Sequence, residues 1–466
     1  MAPTGDDEVS VALADRTGIL HADLTIGADL SSASALRANG GISSPGVKLH
    51  GSGFIVTPDQ AELLSHDGSA ELDAIVKPYR NGRDLTDQPR GVLVIDAFGL
   101  GIDELRARFP AVYQWLLERV KPERDQNNRA TYRDNWWIFG EPRRDLRPAL
   151  LGLSNYIGTV VTAKHRIFQL LDAQIVPDDA LICIAIDDRF VLGVLSSRLH
   201  VAWSNVAGGT LEDRPRYLKS RCFEPFPFPD TPSGLRARIA DLAEQIDAHR
   251  KRQQAAHADV TLTGLYNVLE KLRRDEPLNA KEKTLHQHGL VAVLDQLHRE
   301  LDAAVLDAYG WSDLAPALVG APGALTPLTD KPEALALAEA ELLERLVALN
   351  AARAAEEAQG LVRWLRPAFQ ASGTPDAVQT EIDGVDTETP AAPAVATGRR
   401  PWPVELPQQI AALAEVLAAS PLALTPDALA AHFSGKGPWK KRLPSLLETL
   451  AAVGRARSEG EGWRAT

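Results

Sequence analysis

The chain is poor in several things, and each shortage removes a class of explanation. It has two cysteines in 466 residues, Cys183 and Cys222, with no CxxC spacing. That excludes a disulfide framework and thiolate-clustered metal, and a reducing cytoplasm is the expected setting. It has no apolar run approaching the roughly 18 residues that cross a bilayer, so no membrane partner is expected. The polar, acidic stretch Met1–Ser10 does not read as a signal peptide. Net basic charge is also missing: the formal charge is −12, which argues against indiscriminate binding to nucleic acid. One basic face on an acidic protein remains compatible with DNA.

Catalytic signatures are scarce as well. No Pro-Pro pair occurs anywhere, so the Pro-Pro-aromatic motif that holds a flipped base for amino-methylation is absent. Gly99 and Gly101 follow an apolar strand, but position 104 is Glu104, so a dinucleotide loop lacks its third glycine. Pro177, Asp178, Asp187 and Asp188 flank a strand as nuclease carboxylates do. No Glu-x-Lys follows, so turn and strand-end roles are expected instead. His286 and His288 lack zinc-like spacing to Cys or carboxylates and read as solvated helix-surface residues. Neither a GxSxG elbow nor a P-loop lysine is found. No catalytic, cofactor or metal residue is therefore assigned.

What is present reads as an α+β chain of several domains. Short β-branched runs bounded by Gly and Pro predict strands at GSGFIVT (51–57), GVLVI (91–95), NWWIF (135–139), YIGTVVT (156–162), ALICIAI (180–186) and FVLGVL (190–195). Helical spacing appears at 59–66 and 103–120, the latter through Leu105, Phe109, Val112, Leu116 and Val120. The run FEPFPFPD, with Pro at alternate positions, predicts an extended connector. Helices are expected from Ser233 onward, over 261–274, 281–309 and 331–370, with Thr263 or Asn279 as N-caps. Residues 371–400 carry five acids and no periodicity, and predict a flexible linker. Residues 401–466 read as three helices followed by a possible β-wing at 455–464, a winged-helix-like order.

The positive charge is concentrated. Between Arg189 and Arg221 there are six Lys or Arg and two acids. Lys164, His165 and Arg166 follow one predicted strand, and Arg198 and His200 follow another. Gly208, Gly209, Arg214, Arg216, Tyr217 and Lys219 fall in one predicted loop. Glycine lets a phosphate approach the backbone, and arginine pairs with phosphate or with guanine. The expected DNA-binding set is thus Lys164, His165, Arg166, Arg198, His200, Arg214, Arg216 and Lys219. Tyr132, Arg133 and Asn135 are weaker candidates. In the C-terminal segment Lys436, Lys440, Lys441, Arg442, Arg455, Arg457 and Arg464 outnumber three acids and suggest a second contact, to DNA or to protein.

Longer segments carry a resemblance. GISSPGVKLHGSGFIVTPDQA, IVKPYRNGRDL, VLVIDAFGL, RFPAVYQWLLERVKPERDQN, NWWIFGEPR, TAKHRIF, VLGVLSSRLHVAW, GGTLEDRPRYLKSRCFEPFPFPD and LTGLYNVLEKLR lie in order across about 40–310. The chain resembles the part of MmeI-like (type IIL) restriction-modification enzymes that follows the adenine methyltransferase motifs. AYGWSDL and LVRWLRPAFQ extend the likeness to about 370. The resemblance implies a methyltransferase tail and crossover at 1–125, a target recognition domain at 126–232, and a helical region at 233–370. It implies double-stranded DNA as a partner. It also implies S-adenosylmethionine on a methyltransferase part that this chain lacks, whether a subunit or a missing N-terminal half. The alternatives are a S-adenosylmethionine-dependent methyltransferase with divergent motifs, or a truncated remnant. Service in restriction or in related phage defence is left open.

Overall fold

Alternation decides the first sheet. β1 (Ser43–Pro45) pairs antiparallel with β8 (Leu181–Ile184), β8 with β5 (Asn155–Val160), and β5 with β6 (Phe168–Asp172), in the order β1-β8-β5-β6. One face carries Ile157, Phe168, Leu170, Ile182 and Ile184 into the main core. The other carries Tyr156, Leu171, Leu181 and Cys183 onto Leu85 and Leu146. Both faces are covered, so every residue of β8 is buried.

A second sheet has the order β2-β4-β3-β7. It comprises β2 (Ile55–Val56), β3 (Val76–Arg80), β4 (Leu93–Ile95) and β7 (Val176–Pro177). Helices α1 (Ile102–Arg108) and α2 (Pro110–Arg119) lay Leu105, Val112 and Leu116 on it. The single helix expected at 103–120 is cut because Pro110 forbids the helical conformation at Phe109, which sits at φ −131°, ψ 62°. Of GSGFIVT only Ile55–Val56 is strand, since Ser52–Phe54 forms a 3-10 turn. NWWIF is not a strand: a helical turn at Ala130–Asp134 delivers Trp136 and Phe139 to the core as anchors.

FVLGVL is likewise not a strand. It forms α3 (Arg189–Ser196), started by Asp188, whose side chain accepts from the Phe190 amide. A short, uniformly apolar run has no period to read, and burial all round suits either element. Gly193 is the enabling residue: a Cβ there would meet the Ile239 methyl at 2.6 Å. That lets α3 lie directly on α5 (Ser233–Ala256). Between them run α4 (Arg198–Ala207), β9 (Thr210–Leu211) and β10 (Arg214–Pro215).

The helical region continues as α6 (Leu262–Arg273), α7 (Ala280–His288), α8 (Val291–Ala308) and α9 (Glu333–Ala358). Thr261, not Thr263, caps α6, while Asn279 caps α7 as expected, in a capping box with Glu282. The helix expected over 281–309 breaks at Gly289–Leu290, where Leu290 has φ 44°. The one expected over 331–370 ends at Ala358, before Gly360 at φ +93°.

The connector expected to be extended over 223–230 is so only in its second half: Phe223 ends a π-helical turn, Glu224 is helical at φ −60°, ψ −37°, and only 226–230 leave helix and turn, while several of its carbonyls are satisfied from elsewhere. The Asn39 amide donates to those of Phe223, Glu224 and Phe226, that of Asn350 to Pro225, and the Tyr309 hydroxyl to Pro227. The N-terminal segment is held by the same late helix. Ser34 bonds Asn350, and the Arg37 and Ala38 amides donate to the Glu357 carboxylate.

This is a computed structural model, and it describes residues 28–64, 72–211, 214–323, 331–371 and part of 400–465. The chain divides into two units, residues 1–376 and 377–466. The expected boundaries at 125/126 and 232/233 therefore do not separate compact bodies: one continuous core runs from the first sheet through α9. The linker expectation at 371–400 lies almost wholly outside the described residues. In the second unit a helix, Pro426–Ala431, is capped by Thr425, and a second spans Leu443–Ala452. A hairpin pairs Ala456–Glu459 with Gly462–Ala465. Lys436 and Arg455 lie outside the described residues.

Candidate DNA interface

The basic region forms the rim of the first sheet. After β5 the chain runs on through Thr162, which bridges to Arg216 antiparallel, while the Tyr217 amide donates to Val161 at 2.7 Å. Arg214 pairs in turn with Leu211 across β9 and β10. Lys164, at a bend two residues past that bridge, and Arg214 both belong to this rim. Both side chains are exposed. The rim is therefore a short hairpin bridged to the end of β5, with two exposed cations on it.

Three members of the expected DNA-binding set are in the interior, which corrects the expectation for them. Arg166 is 8% exposed. Its guanidinium donates to the Val160 carbonyl, to Thr159 Oγ1 at 3.2 Å and to the Pro215 carbonyl at 3.2 Å, and it lies 5.1 Å from the Tyr217 ring centroid. Burial pulls its pKa down to about 10. Arg198 is 6% exposed and pairs with Glu339 at 3.2 Å while donating to the Ala321 and Pro322 carbonyls. His200 is fully buried, 2.9 Å from the Tyr217 hydroxyl. Burial, aided by Arg166, lowers its pKa to about 3, so it is neutral and draws no phosphate. Each of these groups is held inside by hydrogen-bond partners within the fold, although Arg166 Nε, Arg198 Nε and His200 Nδ1 have none.

The other five reach the surface to different degrees. Lys164 and His165 share one partner, the Asn267 side-chain oxygen on α6, at 2.8 and 2.9 Å. Burial lowers the His165 pKa. Arg216 is half-buried, and Lys219 pairs with Glu224 at 3.2 Å. The glycines serve packing: a Cβ on Gly208 would sit 1.9 Å from the Arg216 carbonyl oxygen. The hairpin backbone, not a phosphate, occupies that approach. Of the weaker candidates, Tyr132 is buried, Arg133 donates to the Asn127 carbonyl, and Asn135 is exposed and bonded to the Thr131 carbonyl.

The strand-end carboxylates are engaged structurally, as expected. Asp178 accepts from the Tyr79 hydroxyl and the Ala180 amide. Asp187 accepts from Asn155 and Arg189, while Asp188 caps α3 and pairs with Arg236. Gly99 is a plain turn at φ +91°, leading into α1, whose first turn carries Asp103 and Glu104. An acidic helix start does not suit an anionic ligand.

One surface escaped the sequence reading. An open cleft of about 400 Å³ lies where the two sheets meet, lined by Lys48, His50, Asn81, Arg90, Asp178 and Asp179. Lys48 pairs with Glu141 at 3.1 Å, and Arg90 with Asp84 at 2.8 Å. Burial and the charge of Arg124 lower the His50 pKa. These residues come from three separated stretches, so no local charge excess announces them.

Fold and rim together define a mixed α+β module braced by helices. Residues 46–230 match the family model for the MmeI target recognition domain. The match starts well before residue 126 and takes in the second sheet and its cleft. Among solved structures the chain is similar to the type IIL restriction-modification enzyme MmeI in complex with DNA, at 18% identity and a TM-score of 0.50. The alignment covers 71% of this chain and 38% of that one, and the likeness is one of fold. No curated protein matches. Among the described residues, no helix is long and apolar enough to cross a membrane.

Proposed function

We propose that this chain reads a DNA sequence for a type IIL restriction-modification enzyme. The observation that carries the proposal is the family match over 46–230, a region in which Lys164 and Arg214 are both exposed. Arg214 and Lys164, with Arg216 behind them, contact the duplex. Phosphate contacts set register, and base edges reached from the rim and the cleft set sequence. Arg166, Arg198, His200 and Tyr217 hold the rim in shape.

Adenine-N6 methylation of the site belongs to a methyltransferase part outside this sequence. S-adenosylmethionine fits that part and not this one. No Pro-Pro-aromatic motif is present, and in a cavity of about 290 Å³ beside α9 Arg353 and Arg363 are already paired with Asp230 and Glu356. The unit at 401–466, winged-helix-like in element order, adds a second docking surface.

Selection from a randomised duplex library, followed by titration of the recovered site, tests the reading. The expected result is sequence-selective binding that weakens steeply with salt. No duplex affinity at low salt, for the chain alone and together with a methyltransferase encoded beside it, would overturn it.

A further inference from the structure

The histidine set aside for its spacing acquires partners in the fold. His288, the last residue of α7, places Nδ1 3.0 Å from both carboxylate oxygens of Asp259. His257, which follows α5, stacks on it with ring centroids 4.2 Å apart and planes 8° from parallel. One ligand atom from each of the three residues lies within 4.8 Å of the others. Asp259 is exposed and both imidazoles are half-buried, so an ion reaches them from solvent.

The backbone holds these residues in place before any ion arrives. Val260 is fully buried, and its amide donates to the His257 carbonyl at 3.0 Å. The Gln88 side-chain amide donates to the carbonyls of Gln254 and Val260. At the other edge, the His249 ring nitrogen lies 3.0 Å from the Gly289 carbonyl and pins the end of α7. The capping box at Asn279 fixes its start.

Two imidazoles and one carboxylate are the donors of zinc and its first-row neighbours, whereas magnesium and calcium favour all-oxygen sets. We propose that His257, Asp259 and His288 form a binding site for a divalent transition-metal ion of the zinc class, with water completing its coordination. The ion clasps the α5–α6 connection to the end of α7. This site is independent of DNA recognition.

The test is calorimetric titration of the chelator-treated full chain with zinc chloride. One ion per chain is expected, with micromolar affinity. His257→Gln and His288→Gln each weaken it by about tenfold or more, while His286→Gln, a neighbour outside the cluster, leaves it unchanged. Zinc raises the melting temperature of the parent chain and not of the two variants. Circular dichroism without zinc establishes that the variants fold. Zinc binding absent below about 1 mM, unchanged in both variants, or matched by magnesium, would overturn the proposal.

Discussion

Arg166 and Arg214 stand 48 residues apart in sequence, one inside the rim and one exposed on it, and replacing them should do opposite things. In Arg166→Met the Val160 carbonyl and the Thr159 hydroxyl lose a donor, while the Pro215 carbonyl keeps the Ala163 amide at 3.3 Å. A buried acceptor left without a partner costs about 1–3 kcal/mol. Losing the cation over Tyr217 adds about 1 kcal/mol, partly offset because methionine needs no desolvated charge. The net loss is about 2–4 kcal/mol, a fall in melting temperature of roughly 3–5 °C for a unit of this size. DNA affinity would drop with the hairpin's order, but the dependence of log K on log salt would keep its slope. Arg214→Ala should leave stability within about 0.5 kcal/mol and reduce that slope by about 0.9. Differential scanning fluorimetry and fluorescence anisotropy over a salt series measure both. An unchanged melting temperature in Arg166→Met together with a reduced salt slope would refute the reasoning, because Arg166 would then be touching phosphate.

Three further outcomes follow from the same geometry. Gly208→Ala drives a methyl into the Arg216 carbonyl, so thermal melting should show a loss of about 1–3 kcal/mol and titration a matching loss of duplex binding. His200 is neutral in the fold with a pKa of about 3, below its unfolded value near 6.5. The unfolded chain therefore binds the extra proton, and stability present above pH 6.5 is lost as pH falls towards 3. Between pH 6.5 and 5 this amounts to about 2 kcal/mol, and His200→Asn should flatten that part of a denaturation series. Arg250→Met should cost about 3–5 kcal/mol in chemical denaturation. Its buried guanidinium joins the Phe168 carbonyl, the Tyr266 hydroxyl and Asp247, leaving Lys251, which donates to the Leu170 carbonyl at 2.7 Å, to tie α5 to β6.

Much of the fold was legible wherever a period existed. YIGTVVT and ALICIAI gave β5 and β8, and the heptad-like spacing of 103–120 gave α1 and α2 apart from the break at Pro110. FVLGVL was opaque because a run buried on all sides carries no alternation, and the α5 groove that makes it helical is distant in sequence. The basic cluster was legible as a place and illegible as a set of roles. KHR in a row reads as surface, yet Arg166 turns inward because Pro215 and Tyr217 arrive from fifty residues away. Lys48, His50 and Arg90 in the cleft, and His257 beside His288, depend on the same kind of non-local meeting.

The grip of Asn350 and Glu357 on residues 34–38 has a consequence for biosynthesis. The segment leading into β1 emerges from the ribosome some three hundred residues before the helix that satisfies its amides. Asn39 likewise waits for the connector carbonyls at 223–226. The first sheet can gain its edge strand early, but its leading segment stays unlatched through most of translation. Release of a chain cut just before residue 333 should give a module with an open N-terminal flap susceptible to protease.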